Sequence, residues 1–321
     1  MTMLTISQSP HLKAPFTTQK IMLAVIMALL PAILVQIWFY GFNFVLVLIQ
    51  AVLASVLTEW LIQQFLLKEK SSIHDASAAL TGVLLALNVP ATIHPFPLWA
   101  GSVIAVGLGK MAFGGIGRNP FNPALVGRAF MLASFPIAMT QWPKPFFYTQ
   151  LNPDVITQAT PLSLLKEGAP LLSWSDKFFQ NGFAPGLWSF EILALAYLIG
   201  GAFLILIRVI TPVIPLSYLL GLTLLTLPTW LLGGGGSQDP LFHLIMGGTM
   251  LGAFFMATDY STSPMIPKTQ FFYGLLGGIL CAIIRLWGAY PDGVAYSILI
   301  MNAAVPLMNK YIQPKRFGSK P

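Results

Sequence analysis

Long apolar runs separated by short polar interruptions, most of them carrying Gly, Pro or a basic residue, fill almost the whole chain. Ten such runs occur, at 21–40, 42–67, 78–89, 98–113, 121–140, 187–207, 213–232, 241–258, 271–288 and 294–308. A helix needs about 20 largely apolar residues to cross a bilayer, and most runs approach that length. The third and fourth fall short, and the stretches around Asn119 and Pro291 look interrupted. The pattern predicts an all-α polytopic membrane protein of about ten transmembrane helices, some of them short or broken.

The basic residues orient these spans. With the N-terminus inside, Lys13, Lys20, Lys68, Lys70, Lys110, Arg118, Arg208, Lys268, Lys310, Lys315, Arg316 and Lys320 fall on the cytoplasmic side. Only Lys144, Lys166 and Lys177 fall outside, while Arg128 and Arg285 lie within spans. That asymmetry is what the positive-inside rule requires. Both termini are then cytoplasmic, and the long polar segment 141–186 is external. The expected organisation is a cytoplasmic segment 1–20, a five-helix repeat 21–140, the external loop 141–186, a second five-helix repeat 187–308 and a basic tail 309–321.

A weak duplication supports the two halves. Thr81 to Asn88 precedes a proline loop, and Leu251 to Asp259 does likewise. Downstream, Gly117-Arg118-Asn119-Pro120-Phe121-Asn122-Pro123-Ala124 matches Gly288-Ala289-Tyr290-Pro291-Asp292-Gly293-Val294-Ala295. Five spans is an odd number, so the halves are expected to be inverted relative to each other. In such folds, interrupted helices in matching positions point to the functional centre. Small residues and prolines also recur in any membrane bundle.

Composition removes other classes. Charged residues are 8% of the 321, hydrophobic ones 56%, and mean hydropathy is +0.75. Soluble domains carry about 25% charge, so a soluble enzyme is excluded. The net charge of +7 is explained by positive-inside loops rather than by a nucleic-acid surface. The lone Cys281 cannot form an internal disulfide or a protein-only thiolate cage and reads as a small buried hydrophobe. The first apolar run is too long for a signal h-region and lacks a cleavage-like site.

Several residues could carry chemistry. Thr160, in Asp154-Val155-Ile156-Thr157-Gln158-Ala159-Thr160-Pro161-Leu162, offers an Oγ1 that can be esterified, and Pro161 holds it extended. A solvated loop with a side-chain turn explains the same nonapeptide. Around Arg118, Asn119 and Asn122, Pro120 and Pro123 end helical bonding, and non-helical backbone at membrane depth needs burial or a cavity. The two amides suit a flavin ring edge, a quinone-like carbonyl or a hydrated sodium ion, and suit helix capping equally. Asp259 ends an apolar span and is a candidate for an ion path, or an interfacial cap. Glu59 is expected to snorkel or pair with Lys68 or a neighbouring subunit, and Glu191 to sit at headgroup level. Arg128 and Arg285 are costly unless paired. His11, His74, His94 and His243 show no metal spacing, so no metal site is expected.

The nonapeptide resembles the flavin attachment site of the RnfD/NqrB family, from the Rnf and Nqr electron-transport complexes, with Gln158 where glycine is common. GGIGRNPFNPALVGRAF (114–130), GGTMLGAFFMATDYSTSP (247–264), YPDGVAYSILIMN (290–302) and SPHLKAPFTTQKIML (9–23) resemble the same family, nearly end to end. The resemblance implies FMN joined through its phosphate to Thr160 by a flavin transferase, with Asp154, Thr157 and Ala159 completing the recognition motif. It also leaves room for a second, noncovalent flavin such as riboflavin. The implied role is an electron-relaying subunit of an ion-pumping Rnf complex in a prokaryotic inner membrane, coupled to Na+ or H+ transport. The other Rnf subunits (A, B, C, E and G) would be its partners, with ferredoxin and NAD served by siblings and lipid around it. The chain is not expected to be catalytic alone. A transporter or channel without a redox cofactor is the rival reading, since inverted repeats also build secondary transporters; a scaffold that has lost its cofactor is a third.

Overall fold

The computed structural model describes residues 17–68, 71–146, 157–158, 160–167, 188–233 and 239–312. Asp154, Ala159, the N-terminal residues 1–16 and the basic tail from 313 onward lie outside the described residues.

Helix α1 (Thr18–Tyr40) begins where the Thr17 hydroxyl accepts the Lys20 N–H at 3.3 Å, and it stops at Gly41. With a φ of 61°, Gly41 turns the chain at once into α2 (Phe42–Leu61), a conformation that costs glycine little. α2 runs on as a π-helical turn, Ile62–Leu67. Then come α3 (Ser77–Ala86), α4 (Pro95–Gly107), α5 (Pro123–Ser134) and α6 (Pro136–Thr140). The apolar run 121–140 is therefore two helices, because Pro136 has no N–H to continue the ladder.

The segment after α6 departs from the all-α expectation. Strands β1 (Trp142–Pro143) and β2 (Thr157–Gln158) form a small antiparallel ladder, Trp142 opposite Gln158 and Pro143 opposite Thr157. Helix α7 (Pro161–Lys166) follows. The second half contains α8 (Trp188–Leu206), α9 (Val213–Leu231), α10 (Pro240–Ile245), α11 (Thr249–Leu251), a π segment Gly252–Met256, α12 (Pro267–Trp287) and α13 (Val294–Tyr311).

Among the described residues, five helices are long and apolar enough to cross a membrane: Thr18–Tyr40, Phe42–Leu67, Pro95–Phe113, Val213–Leu231 and Pro267–Trp287. Shorter apolar helices include Ser77–Ala86 and Pro123–Ser134. At 1.5 Å per residue, α3 rises only about 15 Å, roughly half a hydrocarbon core. The result is a multi-pass membrane protein whose long helices surround short, interrupted ones.

Close backbone contact holds the bundle together. A Cβ at Gly278 on α12 would lie 2.0 Å from the Tyr218 carbonyl oxygen, and one at Gly221 on α9 would lie 2.1 Å from that of Leu275. Helices in lipid gain little from burying apolar surface, so such close packing is what joins them. The main core runs through both halves, from Leu29 and Phe44 to Leu222, Tyr273 and Ile298. Leu34, Leu66, Leu206 and Leu224 face outward, as a lipid-facing surface requires.

Candidate functional site

Two cavities lie toward opposite ends of the bundle. The first, about 660 Å³, meets α1 at Ile21, Met22 and Val25 and α8 at Leu204. The second, about 600 Å³, meets α1 at Gln36 and α8 at Phe190, Leu193 and Tyr197.

Thr160 lines the second cavity. Its backbone is extended (φ −66°, ψ 153°), and its Oγ1 caps α7 by accepting the Ser163 N–H at 3.2 Å. The Ser163 hydroxyl lies 2.7 Å from the same oxygen. Two features fasten α7. Leu162 packs into a small core with Phe242 and Met246, and the Lys166 ammonium donates to the carbonyls of Ile284 (3.3 Å) and Gly288. Those carbonyls end α12, where a cation meets the negative pole of the helix.

The same cavity holds a buried charge centre. Arg128 Nη2 lies 2.9 Å from Asp292 Oδ2, and Arg285 Nη2 lies 3.0 Å from Asp292 Oδ1. Arg128 Nη1 also donates to Asn88 Oδ1. Arg285 donates to the His243 carbonyl (2.5 Å) and the Thr249 hydroxyl (2.8 Å). Among the described residues, neither Arg128 Nε nor Arg285 Nε meets a partner. Burial pushes the Asp292 carboxyl up, but the two guanidiniums more than offset it and hold it below the usual carboxylate range. Sequence reasoning found both arginines but missed Asp292. A signal was present: two deep cations needed an anion, and the chain has only 10 acidic residues.

Asn119, Asn122 and Asp259 line the first cavity, with Ser77, Lys110 and Ser261. Asn122 Oδ1 caps α5, accepting from Ala124 (3.0 Å) and Leu125 (3.3 Å), while its Nδ2 donates to the Met256 carbonyl at 3.3 Å. Asn119 Nδ2 donates to Ser261 Oγ, which in turn donates to Asp259 Oδ2, each at 3.0 Å. Capping and cavity lining thus coexist in Asn122, while Asn119 lines the cavity without capping a helix. Burial raises the Asp259 carboxyl, against the hydrogen bonds from Ser261 and Thr262. Arg118 is exposed and is not among the residues lining either cavity.

Glu59 corrects its expected pairing. It bonds Lys110 at 2.8 Å, with both side chains almost fully buried, whereas Lys68 is exposed at the end of the π turn. The reason is packing: α4 lies against α2 and carries Lys110 to it. Ser72 Oγ (2.8 Å) and Gln63 Nε2 (3.2 Å) donate to the same carboxylate oxygen, and Lys110 also donates to Ser77 Oγ at 2.5 Å.

The wall between the cavities is one helical turn thick on α3, where Leu84 faces the first and Leu87 and Asn88 face the second. Across from it, the π segment presents Phe254 and Phe255 to the first cavity, and α11 presents Leu251 to the second.

A multi-pass helical bundle with two largely apolar cavities set back to back, each edged by a few polar and charged side chains, defines a polytopic membrane protein. The chain belongs to the NQR2, RnfD, RnfE family, whose sequence pattern matches residues 5–318. It is 44% identical over 320 residues to the D subunit of the Na(+)-translocating ferredoxin:NAD(+) oxidoreductase complex of Acetobacterium woodii, covering 98% of this chain and 95% of that protein. The proton-translocating counterpart in Clostridium ljungdahlii is 38% identical over 330 residues, covering 98% and 96%. The D subunit of the ion-translocating oxidoreductase complex of Escherichia fergusonii is 34% identical over 346 residues, covering 98% of each chain.

Proposed function

We propose that this chain is the membrane flavoprotein subunit of an ion-translocating ferredoxin:NAD+ oxidoreductase (Rnf) complex, with FMN held by a phosphoester to Thr160. The observation that carries the reading is the position of Thr160, extended and lining a cavity of about 600 Å³ beside a buried cationic centre. The cavity fits the group: Trp142, Phe190 and Tyr197 offer aromatic surface, and Arg128 offers charge to an anion. When bound, FMN supplies the electron relay that side chains cannot. Thr160 Oγ1 would anchor it, beside the Ser163 N–H that this oxygen accepts from.

The names of the relatives support the assembly. The chain's partners would be the sibling Rnf subunits (A, B, C, E and G), with ferredoxin and NAD reached through them and a flavin transferase needed for maturation. The coupling ion would be Na+ or H+, the two ions in those names, and Asp259 a candidate for its path. The first cavity suits a second, noncovalent flavin such as riboflavin, with Asn119 and Asn122 along its edge.

We also read the chain as ten spans in two inverted five-helix repeats, with termini cytoplasmic and the Thr160 loop external. Contacts within the halves correspond: α2 packs on α4 as α9 packs on α12, and α4 meets α5 as α12 meets α13. Across the halves, Asn88 of the first reaches the Asp292 break through Arg128, and Asp259 of the second reaches the Asn119 break through Ser261.

The test is in-gel flavin fluorescence of the denatured protein, co-expressed with a flavin transferase, beside Thr160→Val. A fluorescent band lost only in the variant is expected. Fluorescence in both would remove the site, and none in either would favour a transporter-like or scaffold role.

A further inference from the structure

Two guanidiniums against one carboxylate leave the Arg128–Asp292–Arg285 centre with one positive charge in excess. Among the described residues lining the second cavity, Asp292 is the one acid and Arg128 the one base. Arg285, 3% exposed, stands behind Asp292. Water screens a buried charge poorly, so its field acts strongly on whatever fills the cavity. The centre is also rigid. Asn88, Thr249 and the His243 and Met246 carbonyls fix the two forks in place.

We propose that this centre sets the reduction potential of the flavin held at Thr160, with Arg128 favouring the reduced ring and Asp292 opposing it while positioning Arg128. The proposal rests on the Thr160 reading and deepens it. In a titration with dithionite, each electron passed to the ring adds one negative charge unless a proton follows. A fixed positive charge nearby stabilises that state, and a fixed negative charge destabilises it. Neighbouring residues of opposite sign must therefore move the midpoint in opposite directions, which loss of packing alone would not do.

The experiment is a potentiometric titration of the purified complex, with the Thr160-linked signal taken as the difference from the Thr160→Val complex. Asp292→Asn is expected to raise the midpoint and Arg128→Gln to lower it, with Arg128→Lys returning it toward the parent value. Because loss of one partner from a buried pair can prevent folding, Asn88→Asp serves as the second variant. It is nearly isosteric, keeps the oxygen that accepts from Arg128, gives up only the Nδ2 donation to the Leu84 carbonyl and to Met256 Sδ, and cancels the excess charge, so the midpoint should fall. Fluorescence of the denatured band identifies the fraction of Asn88→Asp and Arg128→Lys that carries covalent flavin, and the midpoint is read on that fraction. Unchanged midpoints, shifts of a single sign throughout, or loss of covalent flavin in both conservative variants would overturn the proposal. Absence of covalent flavin from the unaltered complex would instead overturn the Thr160 reading, and this inference with it.

Discussion

Glu59 and Lys110 illustrate how much the interior of this bundle depends on single partners. Each ion loses several kcal/mol of hydration on burial, and the other is its one charged partner, with Ser72, Gln63 and Ser77 adding neutral hydrogen bonds, so removing one ion costs about 3–5 kcal/mol. Glu59→Gln or Lys110→Met is therefore expected to lower the thermal unfolding temperature of the purified protein sharply. Glu59→Leu combined with Lys110→Met should recover most of the loss; a double variant no better than either single one would refute the pairing argument.

Asp292 adds a pH signature. Its folded carboxyl titrates below its unfolded value of about 3.9, since the two arginines favour the charged form. Its contribution to stability is thus complete above that range and disappears as pH falls through the lowered folded value. Acid unfolding followed by circular dichroism should show a loss of stability in this window that is smaller in Asp292→Asn. At this scale the sequence was half legible. The cost of Arg128 and Arg285 within apolar runs was plain, but Asp292 lies 164 positions from Arg128, and one sequence carries no record of such contacts.

Apolar runs mapped onto helices because in lipid every backbone group must be satisfied internally. Breaks inside the runs were harder to read. The run 241–258 stays apolar while α10 stops, Gly247 takes a φ of 72° and the helix resumes with π geometry. Hydropathy reports solvent preference and is blind to hydrogen-bond register, so that division was hidden. The helical setting of Thr160 was hidden too: Pro161 gave the extended backbone correctly, but not that the threonine caps α7. That short helix depends on docking, because six residues cannot hold a helix by themselves. Lys166→Met should release it from the end of α12, raising hydrogen exchange across 160–167 while leaving α12 protected. Unchanged exchange there would mean that the Leu162 contacts suffice.

For the molecule as a whole, the inverted-repeat reading makes a topological demand. In a Cys281→Ala background, single cysteines at Arg118 and at Tyr290, both exposed, should react with an impermeant maleimide from opposite faces of sealed vesicles. Labelling from one face would disprove the inversion.

Two cavities that approach within a single turn beside Leu84 and Leu87 have an electrical consequence. Where water fills both, the membrane potential falls mainly across that turn instead of across about 30 Å of hydrocarbon. A charge carried from one cavity to the other would then feel nearly the entire voltage, worth about 2.3 kcal/mol per elementary charge per 100 mV. Short α3 and the broken segment opposite it thereby turn a long dielectric barrier into a short one, and any transfer across Leu84 and Leu87 becomes a voltage-dependent event.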